Sequence, residues 1–355
     1  MKLAIVHDWF VRVGGAERVL MAMHRLWPDA PIHFLVADKA AVKRHLPGAT
    51  VRVAPLGRIP LASRLYPYLG WAMPSAVESL DFSAYDMVLS SSVMFSKGAV
   101  VRPDTRHICY CYSPSRMLWD RAATYERTGP ASGLMRHALR SWDHAAAQRP
   151  DQLVAISRTV ADRISKYWRR DALVLPPPVN PALSVTPHTE GHPYFLAVSR
   201  LVPHKMLGTL IDAFNKTGAH LVIVGDGPLK HSLRRRAGPN IRLAGWQSDE
   251  KLAAFYAGAS AVVVPNDEDF GLTAVEAMTY GKPVLALRAG GAMETVLEGV
   301  TGEFFDDAIP EAMADGIKRI RAAMSSYDPA GIRKHADQWS EERWVGRMRR
   351  LVEGV

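Results

Sequence analysis

Short apolar runs alternate with helix-like stretches and glycine-containing loops along the whole chain. Runs such as Leu3–His7 and Ala261–Val264 are continuously apolar, which is typical of strands buried on both faces of a parallel sheet. Helical periodicity follows most of these runs, so each pair predicts one βα unit. The repeated alternation predicts the α/β class, with doubly wound parallel sheets.

The predicted elements are spread over the full sequence. The strands are Leu3–His7, Ile32–Val36, Val51–Ala54, Asp86–Ser92, Arg106–Tyr112, Leu153–Ser157, Tyr194–Val198, His220–Val224, Ile241–Leu243, Ala261–Val264, Val284–Leu287 and Thr301–Phe305. Helices are predicted from Gly15 to about Leu26, over Met206–Asn215 and Lys251–Ala257, from Gly271 onward, and over Glu341–Val352.

Two domains are expected, because 355 residues exceed the range in which a single core usually grows. The alternation restarts after a stretch rich in Pro, Ser, Thr and His, from Leu173 to about Pro193, which we interpret as the linker. The prediction is two Rossmann-like domains, residues 1–180 and 181–338, facing each other across a cleft. Residues 339–355 are predicted to form a helix that packs back on the first domain.

One stretch, from Pro265 to Val284, carries the most chemistry. It leaves a predicted buried strand, passes Glu268, and opens at Gly271 into a helix that presents Glu276 one turn later. Ligands of open α/β sheets bind outside the carboxyl ends of the strands, where a helix N-terminus attracts anions. The sequence therefore predicts a diphosphate cradle formed by main-chain N–H groups at Phe270, Gly271, Leu272 and Thr273.

The two glutamates of this stretch repel phosphate and instead accept hydrogen bonds from neutral hydroxyls. A ligand with a diphosphate between two polyols, such as a nucleotide-sugar, fits this layout. An ordinary surface loop followed by a helix with acidic first turns is an equally simple interpretation of a lone glutamate pair. A metal site at Asp267-Glu268-Asp269 is disfavoured, because a phosphate cradle directly follows the triplet.

Composition and cysteine content indicate an ordinary globular protein. Hydrophobic residues make up 48% and charged residues 22%, and the sequence contains no apolar run of the length that a membrane span requires. The chain enters its first strand without a signal peptide, so a cytoplasmic location is expected. Cys109 and Cys111 are too few for a disulfide framework or a zinc site and are expected to be core thiols.

The net positive charge comes entirely from the first half of the chain. Residues 1–180 hold 24 Lys and Arg against 14 Asp and Glu, whereas residues 181–355 hold 20 against 21. A basic half suits nucleic acid, an anionic membrane or an anionic substrate. No nucleic-acid-binding motif accompanies it, so no nucleic-acid partner is expected. Leu56–Met73 mixes arginines with Leu, Tyr and Trp, as a segment at a membrane interface does. A core helix pair joined by a proline turn is the alternative for this segment.

A double glycine follows the first predicted strand. Gly14 and Gly15 lie between that strand and the next helix, so the main chain can approach a bulky ligand there. The spacing is not G-x-G-x-x-G, which disfavours a dinucleotide-dependent oxidoreductase. His7 and His107 lie beside strands and are expected to be satisfied core groups.

A set of motifs occurs in a fixed order and spacing over essentially the whole chain: Gly14-Gly15-Ala-Glu-Arg, Ser199-Arg-Leu-Val-Pro-His-Lys205, Val224-Gly-Asp-Gly-Pro228, Glu268 with seven residues before Glu276, Gly281-Lys-Pro-Val284 and Gly290-Gly291. In this order, the motifs resemble those of the retaining glycosyltransferases of family 4, which have the GT-B fold. Val6-His-Asp-Trp9 and the stretch from Ile108 to Asp120 are further similar to the bacterial surface-polysaccharide mannosyltransferases that use GDP-mannose.

The resemblance implies a role for each matching residue. Arg200 and Lys205 are expected to bind the donor diphosphate, and they would stabilise the charge that grows on the leaving group. Glu276 is expected to hold the ribose hydroxyls and Glu268 the transferred sugar. Gly245 would line the base pocket. Gly15 matches the glycine at the junction of donor and acceptor.

Tyr112 departs from the pattern, because the family usually has a histidine at this position, facing the sugar. A tyrosine of pKa about 10 is a poor general base at neutral pH but can donate a hydrogen bond to a sugar hydroxyl. Retaining transfer in this family is commonly thought to let the leaving phosphate take the proton of the acceptor. A histidine that only orients the sugar can then be replaced.

The resemblance therefore implies a metal-independent hexosyltransferase that needs no cofactor beyond its nucleotide-sugar donor. The expected reaction moves mannose from GDP-mannose to a lipid-linked oligosaccharide in bacterial polysaccharide biosynthesis. The expected location is the inner face of the plasma membrane, with the basic half toward an anionic surface. A nucleotide-sugar epimerase and a homologue that binds nucleotide-sugars but has lost transfer are the alternatives.

Overall fold

The computed structural model describes residues 1–122, 130–180 and 182–354, with side chains from residue 133 onward in the second range. Pro181, where the second predicted domain begins, lies outside these residues. Contacts divide the chain into two units, one of residues 1–177 with 344–355 and one of residues 178–343. Each unit is built around its own parallel sheet.

Among the described residues, the first unit contains a seven-stranded sheet of order β3-β2-β1-β4-β5-β6-β7, parallel throughout. Its strands are β1 (Leu3–Phe10), β2 (Ile32–Ala37), β3 (Val51–Val53), β4 (Met87–Ser92), β5 (Arg106–Cys111), β6 (Gln152–Ala155) and β7 (Leu173–Val174). Its helices are α1 (Gly15–Leu26), α2 (Lys39–His45), α3 (Ala62–Leu65), α4 (Met73–Glu78), α5 (Pro130–Ala146) and α6 (Arg158–Trp168).

The second unit contains, within the described residues, a six-stranded parallel sheet of order β10-β9-β8-β11-β12-β13. Its strands are β8 (Phe195–Val198), β9 (Leu221–Val224), β10 (Ile241–Gly245), β11 (Ala261–Val264), β12 (Val284–Leu287) and β13 (Gly302–Phe305). The helices are α7 (Leu207–Thr217), α8 (Lys230–Arg236), α9 (Asp249–Gly258), α10 (Leu272–Thr279), α11 (Ala292–Thr295), α12 (Pro310–Ala322), α13 (Pro329–Ala336) and α14 (Glu341–Glu353), whose residues from Trp344 onward belong to the first unit.

The predicted fold class is confirmed, because both units are parallel sheets of the Rossmann type. The continuous apolar runs are buried on both faces, as in β11, where every residue is buried. Leu173–Val174, which we assigned to the linker, instead pairs with β6 as a two-residue edge strand. A strand this short has no detectable hydrophobic period.

Both sheets have a switch point, where successive strands are added on opposite sides of the first strand. It lies between β1 and β4 in the first sheet and between β8 and β11 in the second. The loops after these strands diverge and leave a crevice at the carboxyl edge, which is the usual ligand site of such sheets. Each sheet therefore has one crevice in which functional residues are expected.

A buried aspartate fixes the switch point of the first sheet. The carboxylate of Asp8, on β1, is fully buried and accepts hydrogen bonds from the main-chain N–H groups of the turn after β4. The donors are Val93, Met94, Phe95 and Ser96, at 2.5–2.9 Å. A carboxylate in this setting replaces its lost hydration with charge-assisted hydrogen bonds, so Asp8 ties β1 to the end of β4.

The predicted core thiols are confirmed. Cys109 and Cys111 are buried thiols that form no disulfide, and burial raises the pKa of the Cys109 thiol to about 11. Elsewhere, none of the helices in the described ranges combines the length and the apolar character needed to cross a bilayer.

Candidate active site

The switch point of the second sheet brings together two loops that the sequence analysis had linked only by resemblance. The loop after β8 carries Arg200 and ends in a 3-10 turn, Pro203–Lys205. The loop after β11 carries Glu268 and ends at Gly271, before α10. Because β8 and β11 are adjacent strands, both loops rise from the same edge of the sheet.

Lys205 and Glu268 contact each other across this crevice. The Lys205 Nζ atom lies 2.5 Å from the Glu268 Oε1 atom, and the two side chains are 16% and 25% exposed. Partial burial lowers the dielectric constant around the pair, so the attraction exceeds that of a surface ion pair. Arg200 is exposed, and none of the described residues pairs with its guanidinium. This leaves one cation engaged and one open to solvent at the same loop.

The Glu268 loop is held by the glycine pair that follows β12. The Gly291 N–H donates to the Glu268 carbonyl at 2.8 Å, and Glu268 and Gly290 form a parallel bridge. A Cβ on Gly291 would lie 2.3 Å from the Phe270 Cα, so the two loops touch main chain to main chain. Only glycine permits this approach.

The start of α10 provides the expected main-chain donors. Gly271 has φ 91° and caps the helix, and the first intrahelical bonds come from Ala274 and Val275 to the Gly271 carbonyl. The N–H groups of Leu272 and Thr273 precede these bonds and belong to the set that an α-helix leaves available for an anion. Phe270 is buried and contributes through its main chain.

Glu276 is oriented by a tyrosine that the sequence analysis missed. The Tyr256 hydroxyl on α9 donates to the Glu276 Oε2 atom at 2.8 Å. The Tyr256 ring stacks on Tyr280, with centroids 5.5 Å apart and planes 12° from parallel. Burial, together with the charge of Glu276, raises the pKa of Tyr280. No spacing rule links positions 256 and 276, so this pairing carries no local signal in the sequence.

Gly245 ends β10 at the same edge of the sheet. Its φ is 73°, and its carbonyl accepts a hydrogen bond from the Gly225 N–H at 2.9 Å. The Lys230 Nζ atom lies 3.9 Å from the position that a Cβ of Gly245 would occupy, and Trp246 is 74% exposed. Gly245 therefore lies in an open region with a cation and an aromatic ring beside it.

Gly15 and Tyr112 lie in the first unit, at its own switch point. Gly15 begins α1, and the Tyr112 hydroxyl donates to the Ala16 carbonyl at 3.0 Å. Burial holds the pKa of Tyr112 well above its ordinary value of 10, so it is unsuited to act as a base. Its hydroxyl hydrogen is already engaged by the main chain next to Gly15.

Two further polar residues, Glu17 and His7, lie near this contact. Glu17 accepts the Gly14 N–H on its Oε2 atom at 2.9 Å, and a glutamate three residues after a helix cap is a capping-box signal that the sequence already contained. His7, which we expected to be a satisfied core group, is fully buried and lies 2.8 Å from the Ser91 carbonyl through Nδ1. Its Nε2 atom has no hydrogen-bond partner among the described residues.

The structure thus collects the predicted residues into two groups. One group, in the second unit, comprises Arg200, Lys205, Gly245, Glu268, the segment from Phe270 to Thr273, and Glu276. The other, in the first unit, comprises Gly15 and Tyr112. Within the described ranges, no three side chains of His, Cys, Asp or Glu are grouped in a way that would hold a metal ion.

Family comparisons agree with this division of the chain. Residues 13–183 match the model of Glycosyltransferase Family 4, and residues 183–330 match the model of Glycosyl transferases group 1. A structure of Anabaena Alr3699/HepE in complex with UDP superposes over 100% of both chains with a TM-score of 0.75 and 18% identity. The fold is GT-B.

The chain belongs to the GT-B glycosyltransferases, with a family 4 domain followed by a group 1 domain. An uncharacterized glycosyltransferase of Methanocaldococcus jannaschii is 30% identical over 49% of this chain and 51% of its own length. A GDP-mannose-dependent alpha-(1-6)-phosphatidylinositol monomannoside mannosyltransferase of Mycolicibacterium smegmatis is 33% identical over 45% of this chain and 47% of its own. The matched region spans about half the length of these relatives.

Proposed function

We propose that the chain is a retaining hexosyltransferase that uses a nucleotide-sugar donor. The observation that carries the proposal is the Lys205–Glu268 contact at the switch point, 2.5 Å between Nζ and Oε1. Glu268 lies in the loop that leads to the helix N-terminus at Leu272, so a cation, a carboxylate and free main-chain N–H groups belong to the same pair of loops. A cation and a helix N-terminus suit a diphosphate, and a carboxylate suits the hydroxyls of the sugar next to it.

Each residue has a role in the proposed reaction. Lys205, Arg200 and the N–H groups of Leu272 and Thr273 bind the diphosphate, and Glu276 binds the ribose hydroxyls. The bond between the anomeric carbon and the β-phosphate oxygen breaks, and its electrons remain on that oxygen. The acceptor hydroxyl oxygen bonds to the anomeric carbon on the same face and passes its proton to the leaving phosphate. The cations stabilise the growing charge.

The donor is proposed to be GDP-mannose and the acceptor a lipid-linked oligosaccharide. The mannosyltransferase of Mycolicibacterium smegmatis supports the donor, and the UDP complex of the Anabaena protein makes a uridine donor the alternative to test. The open region around Gly245 and Trp246 is proposed to receive the base.

The test incubates the purified chain with GDP-mannose and lipid-linked oligosaccharide and follows GDP release and the product by NMR. The proposal expects GDP release that depends on the acceptor, and a product whose anomeric configuration matches that of the donor. Conversion of the donor without any acceptor would indicate an epimerase. Donor binding without GDP release, for every acceptor and nucleotide-sugar tried, would indicate a binding homologue and contradict the proposal.

Metal independence is part of the proposal, because Arg200, Lys205 and the start of α10 already supply positive charge to the diphosphate. Transfer is therefore expected to continue at an unchanged rate when EDTA is added to the assay. Loss of transfer with EDTA, restored by a divalent cation, would assign the charge neutralisation to a metal.

A membrane surface is proposed as a partner through the face formed by Arg58 to Trp71. Its exposed apolar side chains include Leu61 (60%), Tyr68 (65%) and Trp71 (62%). The opposite side of the segment packs on the core of the first unit, where Ala62 and Met73 are buried and Leu56, Tyr66 and Leu69 contact the core cluster. The exposed apolar side chains are therefore carried by a segment that packs against the core of the first unit.

The charge of this face indicates which kind of partner it binds. Residues 56–73 contain Arg58 and Arg64 and no acidic residue, and Arg64 is exposed. Exposed aromatic and aliphatic groups next to arginines fit the boundary between headgroups and acyl chains of an anionic bilayer. The proposed orientation would bring a lipid-linked acceptor to the first unit.

Co-sedimentation with vesicles of phosphatidylcholine plus phosphatidylglycerol tests this partner, with pure phosphatidylcholine as reference. The double variant Leu61→Asp/Trp71→Asp should partition at least about tenfold more weakly, and salt should weaken binding of the wild type. Leu183→Asp, at an exposed leucine of the second unit (48%), is the matched control. Equal partitioning of all three proteins would exclude the face.

A further inference from the structure

A chain of buried polar groups lies below the loop that contains Gly15. The His7 Nδ1 atom is 2.8 Å from the Ser91 carbonyl and 2.9 Å from the Ser91 Oγ atom. Ser91 Oγ is 2.9 Å from the Tyr112 hydroxyl, which reaches the Ala16 carbonyl at 3.0 Å. These hydrogen bonds therefore connect the middle of β1, through the end of β4, to the main chain of the loop.

The direction of each hydrogen bond follows from what the carbonyl groups can do. A carbonyl only accepts, so His7 Nδ1 carries the hydrogen and Tyr112 donates its own to Ala16. Tyr112 then has no second hydrogen, and Ser91 Oγ is the donor between the two hydroxyl groups. The order His7 to Ser91 to Tyr112 to Ala16 is thus fixed, and it commits the only hydroxyl hydrogen of Tyr112.

The other end of the loop has a second tether. Glu17 accepts the Gly14 N–H on Oε2, and its Oε1 atom lies 3.8 Å from His7 Nε2. A Cβ on Gly14 would lie 3.0 Å from the same Oε2 atom, so a side chain there would press on the Glu17 carboxylate. Gly14 is therefore held by the buried Glu17 and Ala16 by the partly buried Tyr112, with Gly15 between them.

We propose that Tyr112, Ser91 and Glu17 are positioning residues that hold the Gly14–Ala16 main chain for the donor. The inference rests on the proposed function and on the expectation from the resemblance that Gly15 lies at the junction of donor and acceptor. It assigns Tyr112 an action through the loop, in place of direct donation to a sugar hydroxyl. A tyrosine serves this purpose because its hydroxyl reaches the Ala16 carbonyl from the residue that follows β5.

The two roles of Tyr112 differ in what Ser91 does. If Tyr112 acts through the loop, loss of the Ser91 hydroxyl loosens Tyr112 and reproduces part of the Tyr112→Phe defect. If Tyr112 donates directly to the sugar, Ser91→Ala leaves the donated hydrogen in place and transfer close to the wild-type rate. The pair of variants therefore separates the two roles.

The first experiment is hydrogen exchange of the main-chain amides of residues 14–18, followed by mass spectrometry on the intact chain without ligand. Loss of one hydrogen bond should speed exchange about fivefold in Tyr112→Phe and by a smaller factor in Ser91→Ala. The control is Tyr110→Phe, two residues earlier on β5, which removes a buried hydroxyl that donates to the Leu175 carbonyl at 2.9 Å. This control should leave exchange of residues 14–18 unchanged.

Equal exchange of residues 14–18 in Tyr112→Phe and Tyr110→Phe would overturn the inference. The double variant Tyr112→Phe/Ser91→Ala should exchange no faster than Tyr112→Phe alone, because Ser91 acts through Tyr112. If the two substitutions instead multiplied each other's effect on the exchange rate, Ser91 would not act through Tyr112. None of these results depends on transfer activity, so an inactive wild type would refute the proposed function and leave this test intact.

The second experiment measures transfer kinetics of the same variants. Loop positioning predicts that Tyr112→Phe raises KM for the donor and lowers kcat, that Ser91→Ala does the same to a smaller degree, and that Tyr110→Phe changes neither. If Ser91→Ala keeps the wild-type KM and kcat while Tyr112→Phe is defective, the inference is wrong and Tyr112 donates directly to the sugar.

Discussion

At the scale of single residues, the proposed function gives the Lys205–Glu268 contact a part in receiving the donor. Before a ligand arrives, Glu268 neutralises Lys205 at 2.5 Å, so the lysine is held in place without an unpaired charge in the crevice. A diphosphate brings two negative charges and a sugar brings hydroxyls. Lys205 can then turn to phosphate while Glu268 accepts from the sugar, and neither charge loses its partner.

Lys205→Ala is expected to lower turnover by about 10²-fold, because the leaving diphosphate loses a cation. Steady-state release of the nucleoside diphosphate measures the effect. Lys216→Ala is the control, since Lys216 forms an exposed ion pair with Glu311 in the same unit, and it should retain wild-type turnover. Wild-type turnover in Lys205→Ala would remove the assigned role.

Tyr256→Phe is expected to weaken donor binding by about five- to tenfold, because Glu276 loses the hydrogen bond that orients it. Titration calorimetry with GDP-mannose measures the change. Tyr327→Phe removes a comparable bond to Glu303, at 3.3 Å, away from the site, and should bind as the wild type does. If the two variants bind equally well, Glu276 does not depend on Tyr256.

The strand–loop–helix pattern of the sequence indicated Glu268 and Glu276, whereas Arg200 and Lys205 were indicated by the resemblance alone. Lys205 and Glu268 lie in the loops at the carboxyl ends of β8 and β11, and parallel strands bring such loops to one edge. Tyr256 and Ser91 could not be predicted, since each acts through a contact between separate elements. The hydrogen bond from Tyr112 to Ala16 joins residues 96 positions apart, and no local pattern encodes it.

At the scale of elements, close contact between loops decides the shape of the crevice in the second unit. Gly290 and Gly291 pack on the segment from Glu268 to Phe270, and Gly225 packs on Ser199 in the same way, with a built Cβ 1.9 Å from the Ser199 carbonyl oxygen. At these two glycine motifs, two loops therefore meet without side chains between them.

Gly291→Ala is expected to destabilise the second unit by about 1–3 kcal/mol, because its Cβ would overlap the Phe270 main chain. Thermal unfolding and donor titration should both report the change, since the same loop carries Glu268. Gly346→Ala on α14 is the control, because its Cβ would meet only the end of Arg350, at 3.9 Å. Unchanged stability of Gly291→Ala would mean that the loops separate freely.

Element boundaries show where sequence patterns end. The helix expected over Met206–Asn215 begins one residue later, because Met206 has φ 52° and serves as the cap, and it continues to Thr217. The central strands were predictable from continuous apolar runs. β7 was not, nor were the short turns of the Arg58–Trp71 segment, because too few residues define a period.

At the scale of the whole molecule, buried neutral histidines link stability to pH. Burial lowers the pKa of His107 and of His33 to about 4, whereas an unfolded histidine titrates near 6.5. Between these values the unfolded chain binds more protons than the folded one. Stability therefore rises with pH through this window and is fully present above about pH 6.5.

Lowering the pH from about 7 to about 5 is expected to cost roughly 2 kcal/mol for each of these histidines. Thermal unfolding at the two pH values measures the loss. His107→Gln should show a smaller loss between the two pH values than the wild type, whereas the exposed His231→Gln should show the full loss. An equal pH effect in all three proteins would contradict the assignment to His107.

The central claim, that the second unit binds a nucleoside diphosphate sugar through Lys205, Glu268 and Glu276, is tested most directly by thermal unfolding with a panel of nucleotide-sugars. At a concentration about 100 times Kd, GDP-mannose should raise the unfolding temperature of the wild type by about 5–10 °C and leave Glu276→Ala nearly unchanged. The claim is contradicted if no nucleotide-sugar shifts the wild type, or if Glu276→Ala shifts equally.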